Sequence, residues 1–249
     1  MYKILAKTLF MGKKVIYLPT CHSTNDVATE LIKSGAAQEG TIVITENQTA
    51  GKGQRGNTWY SEPKKNLTFS IILHPRYLTA TDQFYLNIVA SLAIYDVLSK
   101  YINHVKVKWP NDIYVKSKKI AGILIQNTIK SNRIEDSVLG IGLNINQQEF
   151  ELESATSVFK ETGIELDLQK VLEDLIQSLE NNILKLRANN VTSLKEQYLS
   201  NLLGYEEERL FKSDSEFRGR IIGISKDGKL QIETFTGLKE FNFKEVSFL

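Results

Sequence analysis

The stretch Gln48-Thr49-Ala50-Gly51-Lys52-Gly53-Gln54-Arg55-Gly56-Asn57-Thr58-Trp59 restricts the fold more than any other, because of what stands on either side of it. Its glycines let the backbone approach a ligand closely, and its cations and amides add charge and donors, the chemistry of a loop that closes over an anion. The spacing Gly51-x-Gly53-x-x-Gly56 matches the dinucleotide fingerprint, which needs a strand before it, a helix directly after it and an acid about 20 positions on. After Gly56 the chain passes Trp59, Pro63 and Asn66 into Leu67-Thr68-Phe69-Ser70-Ile71-Ile72-Leu73, an alternating, branched run that reads as a strand. No helix opens there, and the acid's position falls inside the apolar run. A dinucleotide fold therefore does not fit, a Walker loop lacks its Gly-Lys-Ser/Thr, and the kinase partners His-Arg-Asp and Asp-Phe-Gly do not occur. On composition alone, a glycine-rich surface loop is the remaining alternative.

Upstream, Val15-Ile16-Tyr17-Leu18 predicts a strand stopped by Pro19. Ser23-Thr24-Asn25-Asp26 opens a helix that carries Val27, Ala28, Leu31 and Ile32 at helical spacing and is closed by Gly35. The three residues Ser23, Thr24 and Asn25 read either as an N-cap or as hydroxyl and amide groups offered to a small polar ligand. Thr41 to Thr45 is a strand leading into the glycine loop. Phe84, Tyr85, Ile88, Val89, Leu92, Tyr95 and Leu98 predict a long helix with one apolar face. Val105 to Trp109 alternates as a strand and breaks at Pro110-Asn111-Asp112. Ile113-Tyr114-Val115 and residues 119–126 then form a hairpin across Lys116-Ser117-Lys118, with Lys119 starting the returning strand.

A last sheet strand is expected over Val138–Asn146, where Gly140 and Gly142 permit close approach by another group. From Leu166 to about Leu199 the period is helical, with Val171, Leu172, Leu175, Ile176, Leu179, Ile183, Leu184 and Leu186 inward. Glu173, Asp174, Glu180 and Lys185 are expected on its wet side. Gly204 ends that run, and short strands at 218–224, 229–235 and 239–243 predict a small all-β unit.

With 249 residues the chain holds one sizeable domain plus a small one, and a net charge of +2 does not suggest a polyanion-coating role. Cys21 is the only cysteine and the three histidines are scattered, which leaves no disulfide framework and no metal-ligand cluster. No export signal is evident and no run approaches the ~18 apolar residues of a membrane span, so a soluble cytoplasmic protein is the expectation.

Four polar sets thus stand at strand ends and loops: Ser23-Thr24-Asn25, Gln48 through Trp59, Lys108-Trp109-Pro110-Asn111-Asp112, and Lys119-Ile120-Ala121-Gly122. In this order and spacing they closely resemble the biotin protein ligases (biotin–[acetyl-CoA-carboxylase] ligases). Those carry a Ser-Thr-Asn segment, a Gly-Arg-Gly-Arg-x-Gly-x-x-Trp loop, a Lys-Trp-Pro-Asn-Asp turn and a Lys-x-Ala-Gly-Ile-Leu strand. The likeness runs from about Lys14 to the C-terminus. It implies an α+β fold over residues 1–199, a mixed β-sheet with helices packed on it as in class II synthetases, and an SH3-like β-barrel over residues 200–249.

The implied activity has two steps: ATP activates biotin as biotinyl-5'-AMP, and a lysine of a biotin carboxyl carrier protein takes the biotinyl group. Lys119, Lys52 and Arg55 are the implied catalytic cations. Ser23, Thr24, Asn25, Gln48, Lys52, Gly53, Gln54, Lys119 and Gly122 fall on the biotin side, and Arg55, Trp59, Asn111 and Asn144 on the ATP side. Asp112 supports magnesium or the turn itself, and Trp109 and Pro110 are structural.

Where the family loop carries arginines this chain has Lys52, Gln54 and Asn57, which loses bidentate forks and predicts a looser hold on the adenylate. The loop is expected to be mobile without ligand and to order over the adenylate. Residues before Lys14 leave no room for a helix-turn-helix domain, so a monofunctional enzyme that binds neither DNA nor membrane is expected, as monomer or homodimer. A lipoate or octanoate ligase or transferase of the same architecture is the alternative, and a catalytically inactive biotin sensor is a further one. The first would need an Arg-Arg-x-Ser-Gly-Gly-Gly loop or a catalytic cysteine facing a lysine.

Overall fold

The computed structural model describes Tyr2 and residues 7–249, and the side chain of Arg55 lies outside what it describes. In chain order the first unit comprises β1 (Val15–Cys21), α1 (Thr24–Lys33), β2 (Ile42–Gln48), β3 (Leu67–Leu73), α2 (Phe84–Leu98), β4 (Val105–Lys108), β5 (Asp112–Val115), β6 (Lys118–Lys130) and β7 (Arg133–Leu143). It continues with α3 (Val158–Thr162), α4 (Leu168–Arg187) and α5 (Val191–Ser200). The strands form a seven-stranded mixed sheet in the order β1-β2-β3-β7-β6-β5-β4. Only β1 and β2 run parallel, joined through α1; the other neighbours are antiparallel.

Alternation along the strands assigns the faces. Val43, Ile72 and Val138 join Ala28 of α1 in a small cluster on one face. Ile42, Ile44, Phe69, Ile71, Leu139 and Ile141 point the other way into the main core with α2 and α4. Because both faces are covered there, β3 is buried along its whole length, which is why its sequence is an almost unbroken apolar run.

Several sequence expectations need correction. The first strand runs on through Pro19 to Cys21, since β1 is an edge strand and its pairs Leu18 with Thr45 and Thr20 with Asn47 pass over the proline. Helix α2 is buried on nearly every side, because α4 and α5 cover what the sheet does not. β7 begins at Arg133 and ends at Leu143, and Asn146 leaves the sheet to exchange hydrogen bonds with Leu166 (Nδ2 to O 2.9 Å, Oδ1 from N–H 2.9 Å). The helical stretch breaks at 188–190, where Asn189 takes a φ of +60° between α4 and α5. Glu180, expected in water, is 4% exposed. Its carboxylate accepts the N–H groups of Leu9 (2.6 Å), Phe10 (2.7 Å) and Met11 (3.0 Å), so its solvation is replaced by backbone donors.

After α5 the chain forms β8 (Glu208–Lys212), β9 (Glu216–Ile224), β10 (Leu230–Thr234), β11 (Gly237–Phe241) and β12 (Ser247–Phe248). These make a separate antiparallel sheet in the order β11-β10-β9-β8-β12, open between β11 and β12 among the described residues. Phe211 and Phe217, and Phe217 and Phe241, stack, and Phe248 meets Phe211 edge-on. The sequence expectation lacked β8, whose charged ends hide its alternation, and the two-residue β12. The two units meet at the β4–β5 turn, where the Trp109 indole N–H donates to Gly228 O (2.9 Å) and its ring meets Phe243 edge-on at 5.2 Å.

Candidate active site

One cavity lies on the α1 face of the large sheet, and three glycines floor it. Gly122 of β6 and Gly140 and Gly142 of β7 stand on that face, with Gly122 directly opposite Gly142. A methyl group on Gly140 would lie 2.2 Å from Asn25 Oδ1, and one on Gly142 would lie 2.2 Å from Trp59 Cε2. The expectation that something approaches these glycines is met, and the approaching groups are Asn25 and Trp59.

Helix α1 supplies one wall. Ser23 occupies the N-cap position in extended conformation, yet its side chain makes no capping hydrogen bond; it is buried and lines the cavity. Thr24 donates to Gln48 Oε1 through its N–H (2.8 Å) and its hydroxyl (3.2 Å), which joins the helix start to the end of β2. Asn25 donates its amide to Gln126 Oε1 (2.8 Å) and Leu124 O (3.3 Å). Ser70, fully buried on β3, places its hydroxyl 2.7 Å from Thr24 Oγ1 and 2.6 Å from Asn25 Oδ1. The Asn25 amide is thus engaged by protein groups on both ends, and it orients the wall.

The glycine loop is a small closed hairpin. Lys52 and Thr58 pair across it, Gly53 N–H donates to Asn57 O (2.7 Å), and Trp59 N–H donates to Gly51 O (3.0 Å). A short 3-10 turn, Gln54–Gly56, forms its tip, with Gly56 at a φ of +85°. Lys52, Gly53, Gln54 and Trp59 all line the cavity. Arg55 sits on the tip, but its side chain lies outside the described residues. The Trp59 indole N–H is buried without a hydrogen-bond partner among the described residues.

Lys119 enters from the start of β6. Its Nζ lies 2.6 Å from Asp112 Oδ1, an ion pair without hydrogen-bond geometry, and 5.6 Å above the Trp59 ring. Asn111 lines the cavity while its side-chain amide donates to Ile123 O (2.5 Å) and its backbone carbonyl accepts Ile123 N–H (2.9 Å). Burial draws the pKa of neighbouring Lys108 down; Asp112 opposes this and Lys119 adds to it. Asn144 does not line the cavity: it is buried at the end of β7 and donates to Thr156 O (3.0 Å). Among the described residues no cluster of three or more histidine, cysteine or acidic side chains forms, so Asp112 is not part of such a cluster.

Ser23, Thr24, Asn25, Gln48, Lys52, Gly53, Gln54, Trp59, Asn111, Lys119 and Gly122 therefore converge although they come from four separate stretches of chain. Ser70 and Thr68 were not foreseen. Their only signal was two small polar residues on one face of an otherwise apolar strand.

A family model described as Biotin/lipoate A/B protein ligase family matches residues 17–144. The bifunctional ligase/repressor BirA of Bacillus subtilis is 31% identical over 242 residues, which cover 94% of this chain and 74% of that protein. The biotin–[acetyl-CoA-carboxylase] ligase of Paracoccus denitrificans is 26% identical, over 90% of this chain and 98% of its own length. Among solved structures, the biotin protein ligase of Aquifex aeolicus in complex with biotin and ATP superposes with a TM-score of 0.79 at 28% identity, covering 95% of this chain and 99% of that one.

Proposed function

The chain belongs to the biotin/lipoate A/B protein ligase family, and from that premise we propose how its cavity performs ATP-dependent biotin ligation. In the first step a biotin carboxylate oxygen attacks the α-phosphorus of ATP and the bond to the β-phosphate bridging oxygen breaks, giving biotinyl-5'-AMP and pyrophosphate. In the second, a neutral lysine amine of the acceptor attacks the acyl carbon and AMP leaves.

The obstacle to the first step is electrostatic. Two unit anions about 4 Å apart repel by about 4 kcal/mol at an effective dielectric near 20, so a cation must sit between them. Lys119 is that cation: it reaches the cavity beside Gly122, and its pairing with Asp112 holds the flexible side chain in place before substrate arrives. Lys52 and the bare N–H groups of the glycine loop supply the second source of positive potential, next to the acyl-phosphate. Ser23, Thr24 and Gln48 form the polar end suited to the ureido head, with Asn25 and Ser70 setting their orientation. The Trp59 ring closes the cavity, and its free N–H is available to a ligand acceptor.

A magnesium ion carried mainly by the nucleotide's phosphate oxygens would need only one or two protein carboxylates; Asp112 would hold it, and the ion would supply charge neutralisation on the triphosphate. The acceptor is a biotin carboxyl carrier domain, in line with the name of the Paracoccus relative. The lipoate alternative loses support because Cys21 lies at the end of β1 and does not line the cavity.

The observation that carries this reading is the meeting of Lys119, the glycine loop and the Ser23-Thr24-Gln48 set around one cavity. Incubation with biotin, magnesium ATP and a carrier domain is expected to give a biotinylated carrier. Lys119→Ala is expected to lower adenylate formation by about 10²- to 10³-fold, the loss typical of one removed charge-stabilising group. Unchanged adenylate formation in that variant would remove Lys119 from the chemistry.

A further inference from the structure

Lys52 is held by a group outside the four polar sets. Its Nζ lies 2.8 Å from Asp26 Oδ1 and 2.7 Å from Oδ2, so both carboxylate oxygens grip one ammonium. Asp26 sits in the first turn of α1 with its side chain 26% exposed, against 50% for Lys52, so the pair is partly screened by solvent. His22 Nε2 approaches the same carboxylate at 3.6 Å.

The position of this pair gives it leverage. Lys52 is one leg of the loop hairpin, bridged to Thr58, and the next residue, Trp59, closes the hairpin on Gly51. Asp26 directly follows Ser23-Thr24-Asn25, the turn that walls the cavity. We propose that Asp26 is a positioning residue for the ligase reaction: its carboxylate latches the glycine loop to the first turn of α1. Loop closure over the adenylate and formation of the biotin-head wall then become one event. In this chain the loop is held shut partly by the protein's own anion, and an acyl-phosphate oxygen shares the ammonium with Asp26.

A competing account is that Asp26 only places negative charge at a helix N-terminus. That role does not involve Lys52, so coupling between the two residues separates the accounts. The full-length chain is compared as wild type, Asp26→Asn, Asp26→Glu, Lys52→Met and the Asp26→Asn/Lys52→Met double variant. In ligand-free protein, tryptic cleavage after Arg55 is followed by mass spectrometry. Asp26→Asn and Lys52→Met are expected to be cut about two- to fivefold faster than wild type, the range for a partly exposed ion pair that controls local opening. The double variant is expected to be cut no faster than Lys52→Met, Asp26→Glu is expected to stay near wild type, and the differences should shrink in about 1 M salt.

The second readout rests on the ligase reading: release of biotinyl-5'-AMP without acceptor, and the biotin KM, should rise in the same pattern. Equal cleavage of wild type and Asp26→Asn, additive effects in the double variant, or an Asp26→Glu as labile as Asp26→Asn would overturn the latch. A wild type that makes no adenylate would sink the ligase reading alone, and the cleavage series would still decide on the latch.

Discussion

Along β7 the side chains divide the molecule into two unlike halves. Val138, Gly140 and Gly142 face α1, the loop and the cavity, while Leu139, Ile141 and Leu143 face the helices on the far side. On β3 the same split sets Thr68 and Ser70 against Leu67, Phe69 and Ile71. One side is filled to exclusion by branched and aromatic groups; the other is bare at Gly122, Gly140 and Gly142, so that Asn25, Trp59 and a ligand can lie on backbone there. The contrast teaches that a residue's consequence here is set by its parity on a strand more than by its distance from the cavity.

The largest effect is expected from the filled side. Leu139→Ala, at a fully buried position, should cost about 2–5 kcal/mol in urea unfolding while the folded fraction keeps its biotin affinity. A loss of affinity in protein verified as folded would show that the two faces are mechanically coupled. Next comes Gly142→Ala, whose methyl group would displace the Trp59 ring. Because a loop can yield where a core cannot, this variant should keep its melting temperature and release biotinyl-5'-AMP about tenfold faster, an overpacking cost near 1.4 kcal/mol. A melting temperature that falls as far as for Leu139→Ala would erase the distinction. The smallest effect is assigned to Ser70→Ala, which removes one hydroxyl from between Thr24 and Asn25. It should raise the biotin KM about fivefold with kcat unchanged, in keeping with ~1 kcal/mol for one hydrogen bond.

Which parts of this were legible in the sequence follows the range of the interactions. The hairpin around Lys116-Ser117-Lys118, the helix closed by Gly35 and the glycine loop are local devices, and each stands where its residues place it. The cavity's cations and amides were readable as motifs because they lie at strand ends, a helix start and the glycine loop. Ser70 was not, since its two partners are 45 and 46 positions away in sequence and meet it only once α1 lies over β3. Glu180 was misplaced for the same reason: a charged residue at helical spacing looks solvated until the chain near Met11, 169 positions earlier, supplies its donors. Asn144 is placed on the nucleotide side by the family resemblance alone; it lies buried just past the end of β7, with its amide held by Thr156 O. Conversely, the glycines of β7 announced a close contact without naming it, because what approaches them comes from α1 and the loop.

The bond from Trp109 to Gly228 also makes the small sheet a splint for the large one. The turn that carries Asn111 and Asp112 leans its indole on Gly228 and Phe243, so cutting the chain after Gly204 would strip that ring of both its acceptor and its aromatic neighbour. A truncated enzyme would not simply lack an appendage. It would expose a wet tryptophan beneath its own reaction centre, and the slackened turn would let Asp112 drift from Lys119.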